Sequence, residues 1–299
     1  MASRPLRAAT RGSALALAQT RSVASLIDRP VELVVVETMG DRRQDVPIGD
    51  IGGRGVFVKE VQAAVLDGRA DFAVHSAKDL PALPPPGLVL AAVPEREDPR
   101  DALVGCTLAG LPPGARVATG SVRRRAQLAS LRPDLTYSGL RGNIGTRLRK
   151  AADVDAIVVA AAALVRLGRS EQADLIDPAL MLPQVGQGAL ALEAREGDTE
   201  VLSALALLEH RPSRLAVDAE RAYLRELGGG CDLPVAAYAT VGPGDTVTLT
   251  AMLATLDGHV VLQATDTGDD PDSLGRSLAR RLLDRSGGAW LLESLQGLA

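Results

Sequence analysis

LRAATRGSALALAQ, residues 6–19, is the stretch that decides the fold class. Residues 6–9 are an apolar run of strand length. Thr10, Arg11, Gly12 and Ser13 then lead into a helical pattern with apolar positions at Ala16, Val23, Leu26 and Ile27. A strand feeding a helix is the unit of an open α/β sheet, and the alternation continues downstream. A second buried strand is predicted at 32–37, a helix at about 56–66 and a strand at 72–75, so the chain reads as α/β rather than as a helical bundle.

Two Pro-rich stretches, 80–87 and 94–99, read as a connection leaving this first unit. A second α/β unit follows, with strands predicted at 102–104, 116–119, 136–137 and 156–160 and helices after Ser121, Gly145 and Ala161. The Gly/Pro junction LPQVGQG at 182–188 precedes a strand at 189–193 that is expected to rejoin the first sheet. From Pro212 the pattern changes to a helix through Leu227, a Gly229-Gly230-Cys231 turn, strands at 247–253 and 260–265 and a helix over 273–295. The expected organisation is thus domain 1 at 1–94 and 189–208, domain 2 at 100–182, and a small α+β domain 3 at 212–299. No internal repeat is visible.

The 299 residues are 46% hydrophobic, enough for well-buried cores. No stretch approaches the ~18 apolar residues that cross a bilayer, and MASRPLRAATRGS lacks the apolar core and cleavage site of a signal peptide, so a cytoplasmic protein without membrane contact is expected. Cys106 and Cys231 are too few and too far apart for a disulfide framework or a metal cluster. A net charge of −4 and 2% aromatics disfavour nucleic acid as a partner. All but three of the 33 basic residues are arginine, so a lone Arg carries little information and Lys59 or Lys78 somewhat more.

Several polar clusters directly follow predicted strands, where α/β proteins place ligands. At Thr10-Arg11-Gly12-Ser13 a helix N-terminus, a guanidinium and a hydroxyl offer an anion seat, although Ser13 also suits a plain N-cap. Thr119-Gly120-Ser121-Arg123-Arg124-Arg125 repeats the arrangement, or presents a solvated helix face, since adjacent side chains cannot all point one way. Arg141 and Arg147 flank a third turn. Three such clusters predict an electropositive cleft for a polyanion, a polycarboxylate or a phosphate compound. In His75-Ser76-Ala77-Lys78-Asp79, the Asp79 carboxylate either stabilises a cation and exchanges protons there, or pairs structurally with Lys78. His75 has no second ligand at metal spacing and reads as a packed or hydrogen-bonded histidine. Cys231, after three glycines, sits on an accessible turn as an attachment point or nucleophile, or is inert; Cys106 is read as inert.

Taken in order, ATRGSALALAQ, GDIGGRGVFVKE, DFAVHSAKDLP, PEREDPRDALV, ATGSVRRRAQL, LRGNIGTRL, LPQVGQGAL and AERAYLRELGGGCDLPVAAYA closely resemble the porphobilinogen deaminases over residues 6 to about 240. The resemblance implies two α/β domains like the halves of a type II periplasmic binding protein and a third, α+β domain. It also implies a transferase, hydroxymethylbilane synthase, of tetrapyrrole and haem biosynthesis. Such an enzyme joins four porphobilinogen molecules head to tail, releasing four ammonia, on a dipyrromethane primer, and water then frees the linear tetrapyrrole. The family's cofactor is a thioether on the residue matched by Cys231. Lys78, Asp79, Thr119, Ser121, Arg123 and Arg124 match cofactor-binding positions. Arg11, Ser13, Gln19, Arg141, Arg147 and Arg166 match substrate-binding positions, Asp79 is the implied catalytic residue, and Arg54, Phe57 and Lys59 match a lid region. A monomer without metal is implied. Arg54 stands where lysine is common, Gly120 where a second serine is common, and Gln184 where a small residue is common.

A two-lobed solute-binding protein holding an anion is the main rival, disfavoured by the absent export signal and the Cys231 domain. A Cys-dependent hydrolase would need a His base near Cys231, and His210 and His259 carry no matching motif. A dinucleotide-binding dehydrogenase fails because Gly52, Gly53 and Gly55 do not follow the first strand in fingerprint order.

Overall fold

The computed structural model describes residues 4–42, 55, 57–170, 173–228 and 233–296. In chain order the elements begin β1 (Leu6–Arg11), α1 (Ala14–Ala24), β2 (Val31–Val36), α2 (Met39–Arg42), α3 (Lys59–Leu66), β3 (Phe72–Ser76), a 3₁₀ turn (Ala77–Asp79) and β4 (Leu88–Ala92). There follow β5 (Asp101–Val104), β6 (Arg116–Ala118), α4 (Val122–Leu131), β7 (Thr136–Ser138), α5 (Ile144–Arg149), β8 (Ala156–Ala160), α6 (Ala161–Arg166) and β9 (Ala173–Leu175). The chain closes with β10 (Leu190–Arg195), α7 (Thr199–Ala206), α8 (Arg211–Glu226), β11 (Val235–Val241), β12 (Val247–Ala254), β13 (Val261–Gly268), α9 (Pro271–Arg285) and α10 (Gly288–Gln296). Two compact units result, residues 1–97 with 188–214, and 98–187 with 215–299.

The first unit holds a five-stranded sheet in the order β2-β1-β3-β10-β4. β1 is parallel to β2 and β3, whereas β10 runs antiparallel to β3 and β4. Alternate residues serve opposite faces. Leu6, Ala8, Phe72, Val74, Leu192 and Ala194 pack on one side with Val23 of α1 and Val201 and Leu205 of α7. Ala9, Val36 and Ala73 pack on the other with Val61, Ala64 and Val65 of α3. Because both faces are covered, the strands read as continuous apolar runs.

In the second unit the order β7-β6-β8-β5-β9 repeats that scheme: β6 is parallel to β7 and β8, and β5 is antiparallel to β8 and β9. Two structurally equivalent sheets therefore exist where the sequence shows no repeat. The correspondence extends to side chains. Ser13 caps α1 and Ser121 caps α4, each preceded by glycine and followed six residues later by a buried glutamine, Gln19 and Gln127. The same unit carries a three-stranded antiparallel sheet, β11-β12-β13. Its inner residues, Val235, Ala237, Ala239, Leu249, Ala251 and Leu253, pack on α8, α9 and α10, with Tyr223 wholly buried and its hydroxyl donating to Met252 O at 2.9 Å.

The α/β class with a smaller α+β portion is as expected, and the strand after the 182–188 junction does rejoin the first sheet. Several local readings need correction. The helix expected from 56 begins at Lys59. A strand, β4, lies between the two Pro-rich stretches read as one connection, and β9 and β11 were not anticipated. The long closing helix is two, α9 and α10, separated at Ser286 and Gly287, where Gly287 has φ +80°.

Candidate functional site

In both five-stranded sheets the carboxyl ends of the parallel strands gather the polar clusters. In the first unit β1 ends at Arg11 and β3 runs into the turn bearing Lys78 and Asp79. The parallel register of β1 with β3 brings these ends together. A pocket there is lined by Arg11, Ser13, Gln19, Phe57, His75, Ser76 and Asp79, among others. The fold thus assembles five of the predicted residues: Arg11, Ser13, Gln19, Phe57 and Asp79. Lys78 and Lys59 lie outside its lining, Lys59 as the first residue of α3. Arg54 lies outside the described residues.

Ser13 does cap α1, its Oγ accepting from Ala16 N at 3.2 Å. Gln19 is buried and donates from Nε2 to Ser76 Oγ at 2.8 Å. Arg11 already holds a carboxylate of the chain itself. Its Nη2 and Nε donate side-on to Asp41 Oδ1 and Oδ2 at 2.5 and 3.1 Å, and its guanidinium carbon stands 4.2 Å from the Phe57 ring centre. Burial alone would raise the Asp41 carboxyl, but hydrogen bonds from Arg11 and Thr38 outweigh it and hold the group below its ordinary value. Beneath the pocket His75 is buried, as expected, with Nε2 3.2 Å from Glu193 Oε2 but without hydrogen-bond geometry. Glu193 in turn accepts from Gln62 Nε2 at 2.8 Å.

In the second unit Thr119 follows β6, Arg141 follows β7, and Asp101 opens β5 beside Ala160 at the end of β8. Thr119 is buried, its hydroxyl accepting from Ser121 N at 3.1 Å. Ser121 caps α4. The three consecutive arginines split: Arg125 is exposed, 5.8 Å from the Tyr137 ring, while Arg123 and Arg124 turn inward. Arg123 and Arg124 are only 3% and 6% exposed, so of the two readings left open by the sequence the solvated helix face does not hold for them. Both pair with Asp101, which has no solvent exposure. Burial would raise the Asp101 carboxyl, yet the two guanidiniums and the Gln187 amide hold it well below the usual carboxylate range. Burial, against the pull of Asp101 and together with the Arg123 charge, pushes the Arg124 guanidinium down.

Arg147 donates from Nε to Gly142 O at 2.8 Å, bracing the turn that carries Arg141, and both side chains are half-buried. Arg166 ends α6, also half-buried. The departure at Gly120 has a steric counterpart: a Cβ there would stand 2.8 Å from Leu140 O. Cys231 lies outside the described residues.

Sequence reasoning missed Asp41, Asp101, Gln187 and Glu193 as parts of these sites, and gave Ser76, though it lies in a quoted cluster, no role. A signal existed for two of them. Asp101 opens and Glu193 interrupts an otherwise apolar strand, DALV and LALEA, and a charge buried in a strand needs a partner.

A cofactor bearing carboxylates fits this chemistry. Arg123 Nε and Nη2 are buried without a hydrogen-bond partner, beside a carboxylate already shared by two guanidiniums, so the cluster has capacity for a further anion. Among the described residues no group of His, Cys, Asp and Glu is arranged to hold a metal, and no helix is long and apolar enough to cross a membrane.

Comparison with known proteins accords with this chemistry. The family described as porphobilinogen deaminase, dipyromethane cofactor binding domain, matches residues 6–203, and its C-terminal domain matches residues 214–284. The porphobilinogen deaminase of Syntrophus aciditrophicus is 48% identical, over 97% of this chain and 99% of its own. Those of Brevibacillus brevis, 46% identical over 96% of each chain, and Roseiflexus castenholzii, 49% identical over 94% and 97%, are similar throughout. An ancestral cationic amino acid solute-binding protein overlays with a TM-score of 0.40 at 12% identity, over 75% of this chain and 91% of that one. Matches that run through both family domains and nearly the whole length of each relative leave one assignment: the chain belongs to the porphobilinogen deaminase family, transferases of the hydroxymethylbilane synthase type with a dipyrromethane cofactor-binding domain.

Proposed function

We propose that the residues gathered at the two sheet edges divide the work of this reaction, with Arg123, Arg124, Thr119, Ser121 and Lys78 holding the cofactor's carboxylates and Arg11, Ser13, Gln19, Arg141, Arg147 and Arg166 receiving those of porphobilinogen. The observation that carries the reading is the pair of buried, unpartnered N–H groups of Arg123. Each pyrrole brings an acetate and a propionate, and guanidinium matches carboxylate in bidentate geometry. Arg11 already makes that side-on contact with Asp41, so a substrate carboxylate at Arg11 replaces Asp41.

Asp79 is the proposed catalytic residue. As ammonia leaves porphobilinogen its ring becomes electron-poor and cationic, and a carboxylate at the pocket edge lowers the energy of that charge and takes up the ring proton lost on coupling. An amide there keeps the shape but supplies no charge. The dipyrromethane, when bound, supplies the nucleophilic ring carbon to which the first unit is joined; Cys231 is its proposed thioether tether. Phe57, Arg54 and Lys59 are proposed to border the entrance. The reading includes a monomeric, cytoplasmic enzyme acting on a small molecule, with no nucleic acid, membrane or metal in its work. The acidic net charge and scarcity of aromatic residues favour a small-molecule partner.

Intact mass under denaturing conditions tests it. A two-pyrrole adduct is expected on the wild-type chain, growing on addition of porphobilinogen and absent from Cys231→Ser. An unmodified chain that still consumes porphobilinogen refutes the tether.

A further inference from the structure

Arg123 and Arg124 share one counter-ion, and its geometry decides what each has left to offer. Asp101 Oδ1 accepts from Arg124 Nε and from Gln187 Nε2, both at 2.9 Å, and Oδ2 accepts from Arg123 Nη1 at 2.7 Å. Each Arg124 nitrogen has a protein partner: Nη1 donates to Val158 O at 3.0 Å and Nη2 to Gln187 Oε1 at 3.4 Å. Arg123 differs. Its Nη1 is spent on Asp101 and on Leu182 O at 2.6 Å, whereas Nε and Nη2 have no partner. Nε and Nη2 form the side-on edge of the guanidinium, the edge with which Arg11 grips Asp41.

Two guanidiniums on one carboxylate leave a net positive charge among buried groups, and orphaned N–H groups add a desolvation cost. Both costs fall when one more carboxylate pairs with the unsatisfied edge. By anchoring Nη1, Asp101 keeps the Arg123 fork from turning to satisfy Nε and Nη2 elsewhere. Gln187, wholly buried, secures Asp101 in turn, its amide also donating to Pro99 O at 2.8 Å.

We propose that Asp101, secured by Gln187, is a positioning residue for cofactor acquisition, holding Arg123 with its buried Nε and Nη2 edge unpartnered until a carboxylate of the incoming pyrroles takes it up. This rests on the reading that Arg123 receives a cofactor carboxylate. Asp101 touches neither substrate nor cofactor and acts only through the guanidiniums.

The test follows loading of the full-length apoprotein by denaturing mass, as porphobilinogen at graded concentrations adds two pyrroles with loss of two ammonia. Asp101→Asn is expected to raise the half-saturating porphobilinogen concentration for loading at least tenfold, while the plateau rate stays within about threefold. Gln187→Leu is expected to shift half-saturation in the same direction by about threefold or more. A structural defect lowers the plateau and leaves half-saturation unmoved, so that pattern overturns the proposal, as does wild-type loading of folded Asp101→Asn. Should Asp101→Asn fail to fold, Gln187→Leu decides: unchanged half-saturation overturns the idea, and a raised value supports it. Arg123→Leu separates the two layers, because normal loading by that variant sinks the carboxylate reading of Arg123 itself.

Discussion

Replacing Asp79 by asparagine isolates charge from shape. The side chain belongs to a 3₁₀ turn at the end of β3, in a pocket shared with Arg11, Ser13 and Gln19. A unit positive charge on a substrate ring about 4 Å away, at an effective dielectric of about 20 suited to a partly solvated site, gains roughly 4 kcal/mol from the carboxylate. At about 1.4 kcal/mol per decade that corresponds to roughly 10³ in rate, of which the amide dipole returns a part. The expected loss is therefore about 10²- to 10³-fold. It should fall on kcat, because the guanidiniums that bind the ground-state carboxylates are untouched and the charge develops only during reaction. Porphobilinogen consumption would be measured per mole of cofactor-loaded protein, with loading taken from intact mass and folding from a thermal melt. A folded, loaded Asp79→Asn within tenfold of wild-type kcat would refute the electrostatic assignment, and a loss confined to KM would relegate Asp79 to substrate binding.

Arg141→Leu and Arg147→Leu are expected to load cofactor normally yet stall during elongation, seen as covalent species carrying one to three extra pyrroles; normal product from both would remove the clamp role. Stability should depend on acid in a defined sense. Burial acts to raise Asp71 and Asp101, but hydrogen bonds from Arg4 and Arg7, and the charges of Arg123 and Arg124, hold both well below the ordinary range. Groups with depressed folded pKa values stabilise fully above the unfolded value of about 4 and lose that contribution as pH falls below it. Resistance to urea should therefore drop steeply below about pH 4, and resistance that rises between pH 5 and 3 would contradict the sign. Gly258→Ala is expected to cost at least about 2 kcal/mol, since φ is +74° and a Cβ would stand 2.2 Å from Ala126 O. A denaturation midpoint equal to wild type would show that the β12–β13 turn, which carries Gly258, does not pack closely on Ala126 and Ser130 of α4.

Much of the site was legible because its signals are local. Ser13 and Ser121 stand directly before helical periodicity, and each caps its helix, as capping requires only the next turn of backbone. Arg11 was found because it closes an apolar run, and Asp79 because its polar cluster follows one, which is where strands end. The partners of those residues were not legible. Asp41 lies 30 residues from Arg11, Asp101 lies 22 from Arg123, and Gln187 lies 86 from Asp101. Periodicity in the run of three adjacent arginines did not say which two turn inward, and only the family resemblance singled out Arg123 and Arg124, because the turn depends on a carboxylate delivered by another strand.

From the sequence alone came the α/β class, the order of most strands and helices, the residue types suited to a polycarboxylate, and the likeness to a family with a pyrrole cofactor. These follow from short-range periodicity, turn chemistry and motif order, which one strand of text preserves. Tertiary structure alone decided that the chain builds one sheet scheme twice, that β5 and β10 run antiparallel within them, and that Arg123 and Arg124 meet one buried carboxylate and not open solvent. The reason is physical: pairing register and ion-pair partners are settled when distant segments compete to satisfy the same buried charges and backbone groups, and that competition exists only in three dimensions.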